Sequence, residues 1–226
     1  MAIKKVGHAG TLDPFASGLL IVCAGRAATR AIDTLMAGEK EYLATLCLGV
    51  CTSTGDPEGE IIQRRSVEPF ADGRLEAVLD RFRGEYWQTP PVYSALKHQG
   101  KPLYAYARKG IIIEKPPRQV FISQLVRETL TFSPDGTAAL TIRVRCGKGT
   151  YIRKLAEDIG EALGCGAYLT ALRRTMIGPF QVERAVSADL LRAADGIGHL
   201  TTARLSETEL AGLLQEKALP ATVSGV

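Results

Sequence analysis

Alternating apolar and polar residues predict the strands of a half-buried sheet. In residues 40–49 one face carries Tyr42, Ala44, Leu46 and Leu48. In residues 137–146 it carries Leu140, Ile142, Val144 and Cys146. This period of two is typical of strands with one face on a core. Further strands are predicted over 15–25, 118–132 and 169–174, and the turn 133–136 joins two of them.

Helices are predicted where apolar residues recur every three or four positions. Residues 72–83 and 151–163 show this spacing, and each is followed by a glycine that ends a helix. Residues 26–36 also favour a helix. A hairpin around Gln99-Gly100 and a short helix are predicted within 88–110, and two short helices are predicted to close the chain, the second from Ser206. Strands and helices mix without βαβ regularity, which predicts an α+β fold with a mixed, mostly antiparallel sheet.

Composition excludes several classes of protein. Of 226 residues, 46% are hydrophobic and 23% charged, which is typical of a globular protein and not of a disordered one. No apolar run approaches the roughly 18 residues that span a bilayer, and the N-terminus lacks the apolar region of a signal peptide. We therefore expect a cytoplasmic protein without membrane contact. The net charge of +4 is compatible with a nucleic-acid partner.

The cysteines and histidines do not predict a metal site. Five cysteines form no C-x-x-C pair, and the three histidines lie far apart in sequence. Neither a disulfide framework nor a zinc site is indicated.

Three stretches contain more polar and charged residues than a packed scaffold requires, and they are candidates for a functional site. In GHAGTLDP, at 7–14, small residues surround Asp13, which could serve a ligand or cap local N–H groups in a turn. The stretch 143–154 is basic and contains a tyrosine, which fits a phosphate-binding groove or a solvated face. Residues 93–110 mix tyrosines with basic residues, and these could form an RNA-facing lobe or an ordinary surface.

Four segments together resemble the TruB-type tRNA pseudouridine synthases. They are GHAGTLDPFASGLL, KEYLATLCLGVCTSTGDPEG, PPVYSALKHQGKPLYAYARKG and RCGKGTYIRKLAEDIGEALGCGAYLTALRRTMIGPF. They run in the order of the family's motifs from Val6 to Phe180. The resemblance implies the pseudouridine synthase fold and an isomerase that converts the uridine at position 55, in the T-loop of tRNA, to pseudouridine. It implies the T-stem-loop of tRNA as partner, with no metal, no redox or nucleotide cofactor and no other small-molecule cofactor.

The resemblance also implies roles for single residues. Asp13 matches the essential aspartate and Arg153 its arginine partner. Tyr42 matches the tyrosine that stacks on the flipped base, although it could also be a plain core aromatic. The residues implied to bind substrate are His8, Tyr151, Leu172 and Lys97. His8 could equally be a lone turn histidine.

The chain departs from the family at both ends. Members usually carry a K-P-x-G-x-T-S block before G-H-x-G, and many carry a C-terminal RNA-binding domain of the PUA type. We expect a catalytic domain over 1–182 that lacks the first strand and helix, and a short helical extension over 183–226 without a full PUA domain. Such a chain is expected to self-associate and to have low activity, whereas the full-length form would be monomeric.

Three other functions stay open from sequence. The first is a catalytically impaired RNA-binding or tRNA-folding module of the same fold. The second is a relative that acts with a guide RNA, and the third is a hydrolase with Asp13 as nucleophile.

Overall fold

The computed structural model describes residues 4–187 and residue 189. Its helices are α1 (Arg26–Arg30), α2 (Ile32–Ala37), α3 (Asp72–Asp80), α4 (Leu103–Ala107) and α5 (Ile152–Leu163). Its strands are β1 (Val6–Ala9), β2 (Ser17–Gly18), β3 (Ile21–Ala24), β4 (Lys40–Leu48), β5 (Val50–Thr52), β6 (Ile61–Arg64), β7 (Gly84–Gln88), β8 (Lys97–His98), β9 (Lys101–Pro102), β10 (Arg118–Phe132), β11 (Ala138–Cys146), β12 (Ala167–Ile177) and β13 (Phe180–Gln181). None of the helices in this part of the chain has the length and apolar character needed to cross a membrane.

One sheet organises the described residues. Within 4–187 it contains seven strands, in the order β13-β12-β4-β11-β10-β7, with β2 alongside β12. All its neighbouring strands are antiparallel except β2 and β12. The predicted α+β class with a mostly antiparallel sheet is confirmed.

The core lies between one face of this sheet and the helices α3 and α5. The apolar face predicted on β4 and β11 is buried, as is the predicted stripe of α5. α5 ends at Gly164, which adopts a left-handed φ of 85°. Because a glycine takes this conformation without steric cost, the helix ends where the sequence predicts.

The prediction for residues 15–25 was wrong. They form two short strands, of which β2 lies in the main sheet while β3 pairs with β1 outside it. Gly18, at φ 102°, changes the chain direction between them. β3 buries Cys23 in a second, smaller core with Ala9 and Leu35, whereas Val22 is exposed.

The other local predictions have mixed outcomes. The helix over 26–36 divides at Ala31 into α1 and α2. The hairpin around Gln99-Gly100 is confirmed, and both residues take the positive φ that a two-residue turn requires. Of the predicted closing segment, a single 3₁₀ turn at Val182–Arg184 is described, and the helix from Ser206 lies outside the described residues.

Candidate active site

A cavity of about 450 Å³ opens where the loop after β1 meets the sheet and the start of α5. This volume is in the range of small-molecule pockets, roughly 300–1,000 Å³. The predicted site residues that line it are Asp13, Tyr42, Tyr151, Arg153 and Leu172. They come from four separate segments of the chain, so the fold brings them together.

Asp13 and Arg153 form a two-point ion pair in this cavity. Arg153 Nε donates to Asp13 Oδ2 at 2.9 Å, and Arg153 Nη2 donates to Asp13 Oδ1 at 3.1 Å. The Arg153 side chain is 6% exposed, whereas that of Asp13 is 33% exposed. The carboxylate therefore bonds a buried guanidinium on one side and stays accessible on the other. The alternative role of Asp13, capping nearby N–H groups, is not what the structure shows.

A second carboxylate holds Arg153 from the opposite side. Arg153 Nη1 lies 3.1 Å from Asp56 Oδ2, and the Asp56 side chain is 4% exposed. Asp56 Oδ1 accepts hydrogen bonds from Thr54 Oγ1 at 2.5 Å and from the Glu58 amide at 3.0 Å. Asp56 fixes Arg153, and Arg153 in turn fixes Asp13.

Asp56 was not among the predicted site residues. Asp56 lies in TSTGDPEGE, at 52–60, whose composition is typical of a turn, and turns usually lie at the surface. One sequence signal was available, because Asp56 precedes Pro57 just as Asp13 precedes Pro14. A residue before proline is held in extended conformations, which suits a carboxylate that must point in one direction.

Tyr42 and Leu172 form the sheet side of the cavity. They lie on the neighbouring strands β4 and β12 and are 9% and 6% exposed. Burial is the main cause that raises the pKa of Tyr42 to about 12, and the neighbouring Cys146 and Asp13 raise it further while Arg174 opposes them. The phenol is therefore neutral at physiological pH.

Tyr151 is held by two residues that the sequence did not single out. The side-chain amide of Gln88 accepts from the Tyr151 amide at 2.8 Å and donates to the Tyr151 carbonyl at 3.0 Å. The Arg118 guanidinium lies over the Tyr151 ring, 5.0 Å from its centroid, and also bonds the Gly149 carbonyl. The start of α5, and with it Arg153, is thus anchored to β7 and β10.

His8 and Lys97 lie outside the cavity wall. Both are exposed, His8 on β1 opposite Val22 and Lys97 in the β8–β9 hairpin. Their predicted roles in RNA binding stay predictions. Tyr104 of α4 and Arg108, the residue directly after that helix, do line the cavity, and the Arg108 guanidinium lies 5.5 Å from the centre of the Tyr104 ring.

The groove predicted over 143–154 is not supported. Arg143 and Arg145 both pair with Glu41, and Arg153 pairs with Asp13 and Asp56. Lys154 pairs with two acidic residues of its own helix. Four of the basic side chains in this stretch are therefore neutralised within the protein.

Two family models match this chain. Residues 1–152 match the description "TruB family pseudouridylate synthase (N terminal domain)", and residues 153–215 match "tRNA pseudouridylate synthase B C-terminal domain". The chain belongs to the TruB family. The predicted family and its enzyme class, an isomerase, are confirmed.

Relatives in this family are about half identical in sequence. A tRNA pseudouridine synthase B of Desulfotalea psychrophila is 52% identical over 215 residues, which is 95% of this chain and 87% of that protein. Proteins of the same name from Francisella philomiragia and Burkholderia pseudomallei are 52% and 53% identical over 84% and 85% of this chain. The chain spans 61% of the length of each of these two.

Solved structures confirm the predicted pseudouridine synthase fold. A chain from the "Crystal Structure of a Cbf5-Nop10-Gar1 Complex" aligns with a TM-score of 0.54 and 31% identity. It covers 79% of this chain and 42% of the other. A chain from the "Structure of H/ACA RNP bound to a substrate RNA containing 2'-deoxyuridine" aligns with a TM-score of 0.52 and 30% identity.

Proposed function

We propose that this protein converts the uridine at position 55 in the T-loop of tRNA to pseudouridine, and that it does so in the cytoplasm. Family membership supports the reaction. The observation that carries the proposal is the accessible carboxylate of Asp13, which lines the cavity and is held through both oxygens by Arg153. Such a bidentate pair is the usual way to orient an ionised carboxylate.

The reaction is an isomerisation, so the site must retain the detached base and needs no second substrate. The bond between N1 of uracil and C1′ of the ribose breaks, and a bond between C5 and C1′ forms. The proton on C5 is lost and N1 gains one, so nothing is added overall. The base must be held while it is detached and turned, and the walls formed by Tyr42, Tyr151 and Leu172 surround such a space.

Asp13 supplies the charge that the reaction requires. Its carboxylate could attack the base, attack C1′ of the ribose, or promote formation of a glycal. Each route needs an ionised oxygen facing the nucleoside, because a neutral amide is a poor nucleophile and a poor base. Arg153 and Asp56 hold that oxygen in place without covering it.

Recognition of tRNA has to bring the base out of a folded loop. Flipping a nucleotide costs a few kcal/mol, which stacking on an aromatic side chain offsets. Tyr42 is the aromatic residue of the sheet that lines the cavity, and Tyr104 with Arg108 borders it from α4. Their position at the cavity supports contacts with the flipped base and its flanking backbone.

The test is an isomerisation assay on unmodified tRNA. The protein is incubated with a transcript whose uridines carry tritium at C5, because tritium release reports loss of the C5 proton. Chemical mapping of pseudouridine then identifies the position. A matched transcript with cytidine at position 55 controls for other sites.

We expect release from the first transcript alone, with the product at position 55. Asp13→Asn should abolish release and leave tRNA binding within a few-fold, because the amide keeps the shape of the carboxylate and loses its charge. Asp135→Asn, in the exposed turn before β11, is the control and should retain activity. Binding without release by the parent protein would favour the RNA-binding module and contradict the proposal.

A further inference from the structure

Arg174 is a buried cation that the proposed chemistry does not use. It lies on the inner face of β12, opposite Tyr42 of β4, and is 1% exposed. Among the described residues no carboxylate forms an ion pair with it. A charge taken from water without a counterion must be stabilised by other polar groups. The partners of Arg174 therefore show what it is for.

Those partners are the two ends of the loop that carries Asp13. Arg174 Nε donates to the Leu19 carbonyl at 2.8 Å, and Nη2 donates to the Gly10 carbonyl at 3.0 Å. The Leu19 amide donates back to the Arg174 carbonyl at 2.8 Å. One residue thus closes the segment 10–19 with its side chain and its main chain.

Gly10 and Gly18 of the loop allow the close approach of Arg174. Gly18 has a φ of 102°, and a Cβ there would lie 2.8 Å from the Arg174 amide nitrogen and closer still to its carbonyl oxygen. Gly10 has a φ of 90°, and a Cβ there would lie 3.3 Å from Arg174 Nη1. A side chain at either position would be strained and would press on Arg174.

Arg174 also lies against the phenol of Tyr42. Burial raises the pKa of that phenol, whereas the charge of Arg174 and its hydrogen bond to the phenol lower it. Tyr42 and Asp13 reach the cavity from different segments, the sheet and the loop. Arg174 contacts both supports, the loop through Gly10 and Leu19 and the sheet at Tyr42.

We propose that Arg174 is a positioning residue for the isomerisation, which closes the 10–19 loop onto the sheet and sets the separation of Asp13 from Tyr42. This inference rests on the proposed function. Arg153 orients the carboxylate of Asp13, whereas Arg174 places the backbone that carries it. A shift of about 1 Å in a reacting group can cost a hundredfold in rate. Loss of the Arg174 contacts with Gly10 and Leu19 should therefore lower kcat.

The experiment compares Arg174→Gln with Arg173→Gln. Arg173 is the next residue along β12 and is exposed, so it is a matched control. We expect Arg174→Gln to lower kcat about a hundredfold with KM for tRNA within threefold, and Arg173→Gln to change kcat less than threefold. Arg174→Lys keeps the charge but has a single donor group, so it should fall between the two.

A second measurement does not depend on activity. Hydrogen exchange of the amides in 10–19 should be at least tenfold faster in Arg174→Gln, while the amides of β4 and β11 keep their protection. If the parent protein fails to isomerise uridine, the proposed function is overturned. Hydrogen exchange still tests whether Arg174 holds the 10–19 loop, because it does not depend on activity. Unchanged kcat in Arg174→Gln, or unchanged exchange in 10–19, would overturn the role of Arg174.

Discussion

At the scale of the residue, the candidate site depends on how Arg153 is neutralised. Its guanidinium meets Asp13 on one side and the buried Asp56 on the other, and it also donates to the carbonyls of Thr54 and Tyr93. Ionic groups removed from water stabilise a fold only when their partners remain in place. The function and the stability of this region therefore share one side chain.

Replacing Arg153 should cost stability as well as activity. Arg153→Met leaves the Asp56 carboxylate buried without its cation, which typically costs about 3–5 kcal/mol. Arg65→Met is the control, because the pair of Arg65 with Glu161 is solvent-exposed, and such pairs contribute about 0–1 kcal/mol. Urea denaturation of both variants measures the difference. Equal, small losses in the two would show that Asp56 does not depend on Arg153.

At the scale of the element, close packing decides where a glycine is required. Gly160 lies on the buried face of α5, and a Cβ there would lie 2.6 Å from the Ala167 Cβ and closer to the backbone of 166–167. Gly73 lies in α3, and a Cβ there would meet nothing within 4 Å. Two helical glycines in one chain thus have opposite surroundings.

The same substitution should therefore have opposite signs in the two helices. Gly73→Ala should stabilise the protein by up to about 1 kcal/mol, which is the helix preference of alanine over glycine. Gly160→Ala should destabilise it by about 1–3 kcal/mol, because overpacking outweighs that preference. Thermal unfolding of both variants gives the comparison, and a stabilised Gly160→Ala would mean that α5 and β12 are less tightly packed than the structure shows.

The outer face of the sheet holds a second buried carboxylate. Glu41 of β4 accepts hydrogen bonds from Arg145 at 2.6 Å, from Thr175 at 2.8 Å and from Arg143 at 3.1 Å, and its side chain is 10% exposed. Burial acts to raise the pKa of Glu41, but the bonds from Arg145, Thr175 and Arg143 outweigh it, so the pKa lies below its ordinary value of 4.5.

A lowered carboxyl pKa makes stability depend on pH. The contribution of Glu41 is present above pH 4.5, its unfolded value, and is lost as the pH falls through the lower folded value. Glu41→Gln should lose about 1.5–3 kcal/mol at pH 7 and flatten the decline in stability that sets in as the pH falls to 4.5 and below. Urea midpoints across this range measure it, with the exposed Glu60→Gln as control. A decline as steep as that of the parent would exclude Glu41 as its source.

At the scale of the whole molecule, a cluster of exposed positive charge lies on the segment 97–109, next to the cavity. Lys97, Lys101, Arg108 and Lys109 are exposed, and none forms an ion pair within the described residues. Of these, Arg108 lines the cavity. In the stretch 143–154, in contrast, most of the basic side chains form ion pairs with carboxylates of the protein.

The segment 97–109 should therefore contribute to the salt dependence of tRNA binding. In a plot of the logarithm of the binding constant against the logarithm of the salt concentration, each phosphate contact contributes roughly −0.7 to −0.9 to the slope. Lys101→Gln and Lys109→Gln should each reduce the slope by about one such step, whereas Arg65→Gln, which removes an internally paired charge, should not. Fluorescence anisotropy between low and moderate salt measures these slopes. A slope that is insensitive to both lysines would place the RNA elsewhere.

The sequence by itself determined those features that depend on neighbours along the chain. The alternation in β4 and β11, the apolar stripe of α5 and its end at Gly164 follow from local periodicity and backbone preference, and the structure confirms them. Asp13, Tyr42, Tyr151, Arg153 and Leu172 were found because their motifs resemble a family, and the structure places them in one cavity.

Only the tertiary structure decided which charges are paired and which loops are clamped. Arg143, Arg145 and Arg153 look alike in a basic stretch, yet the first two neutralise Glu41 and the third joins Asp13 to Asp56. Arg174 meets Gly10 and Leu19 across more than 150 residues of chain, at separations of 164 and 155. Pairing of this kind depends on which strands become neighbours and which faces are buried, and local sequence patterns carry neither.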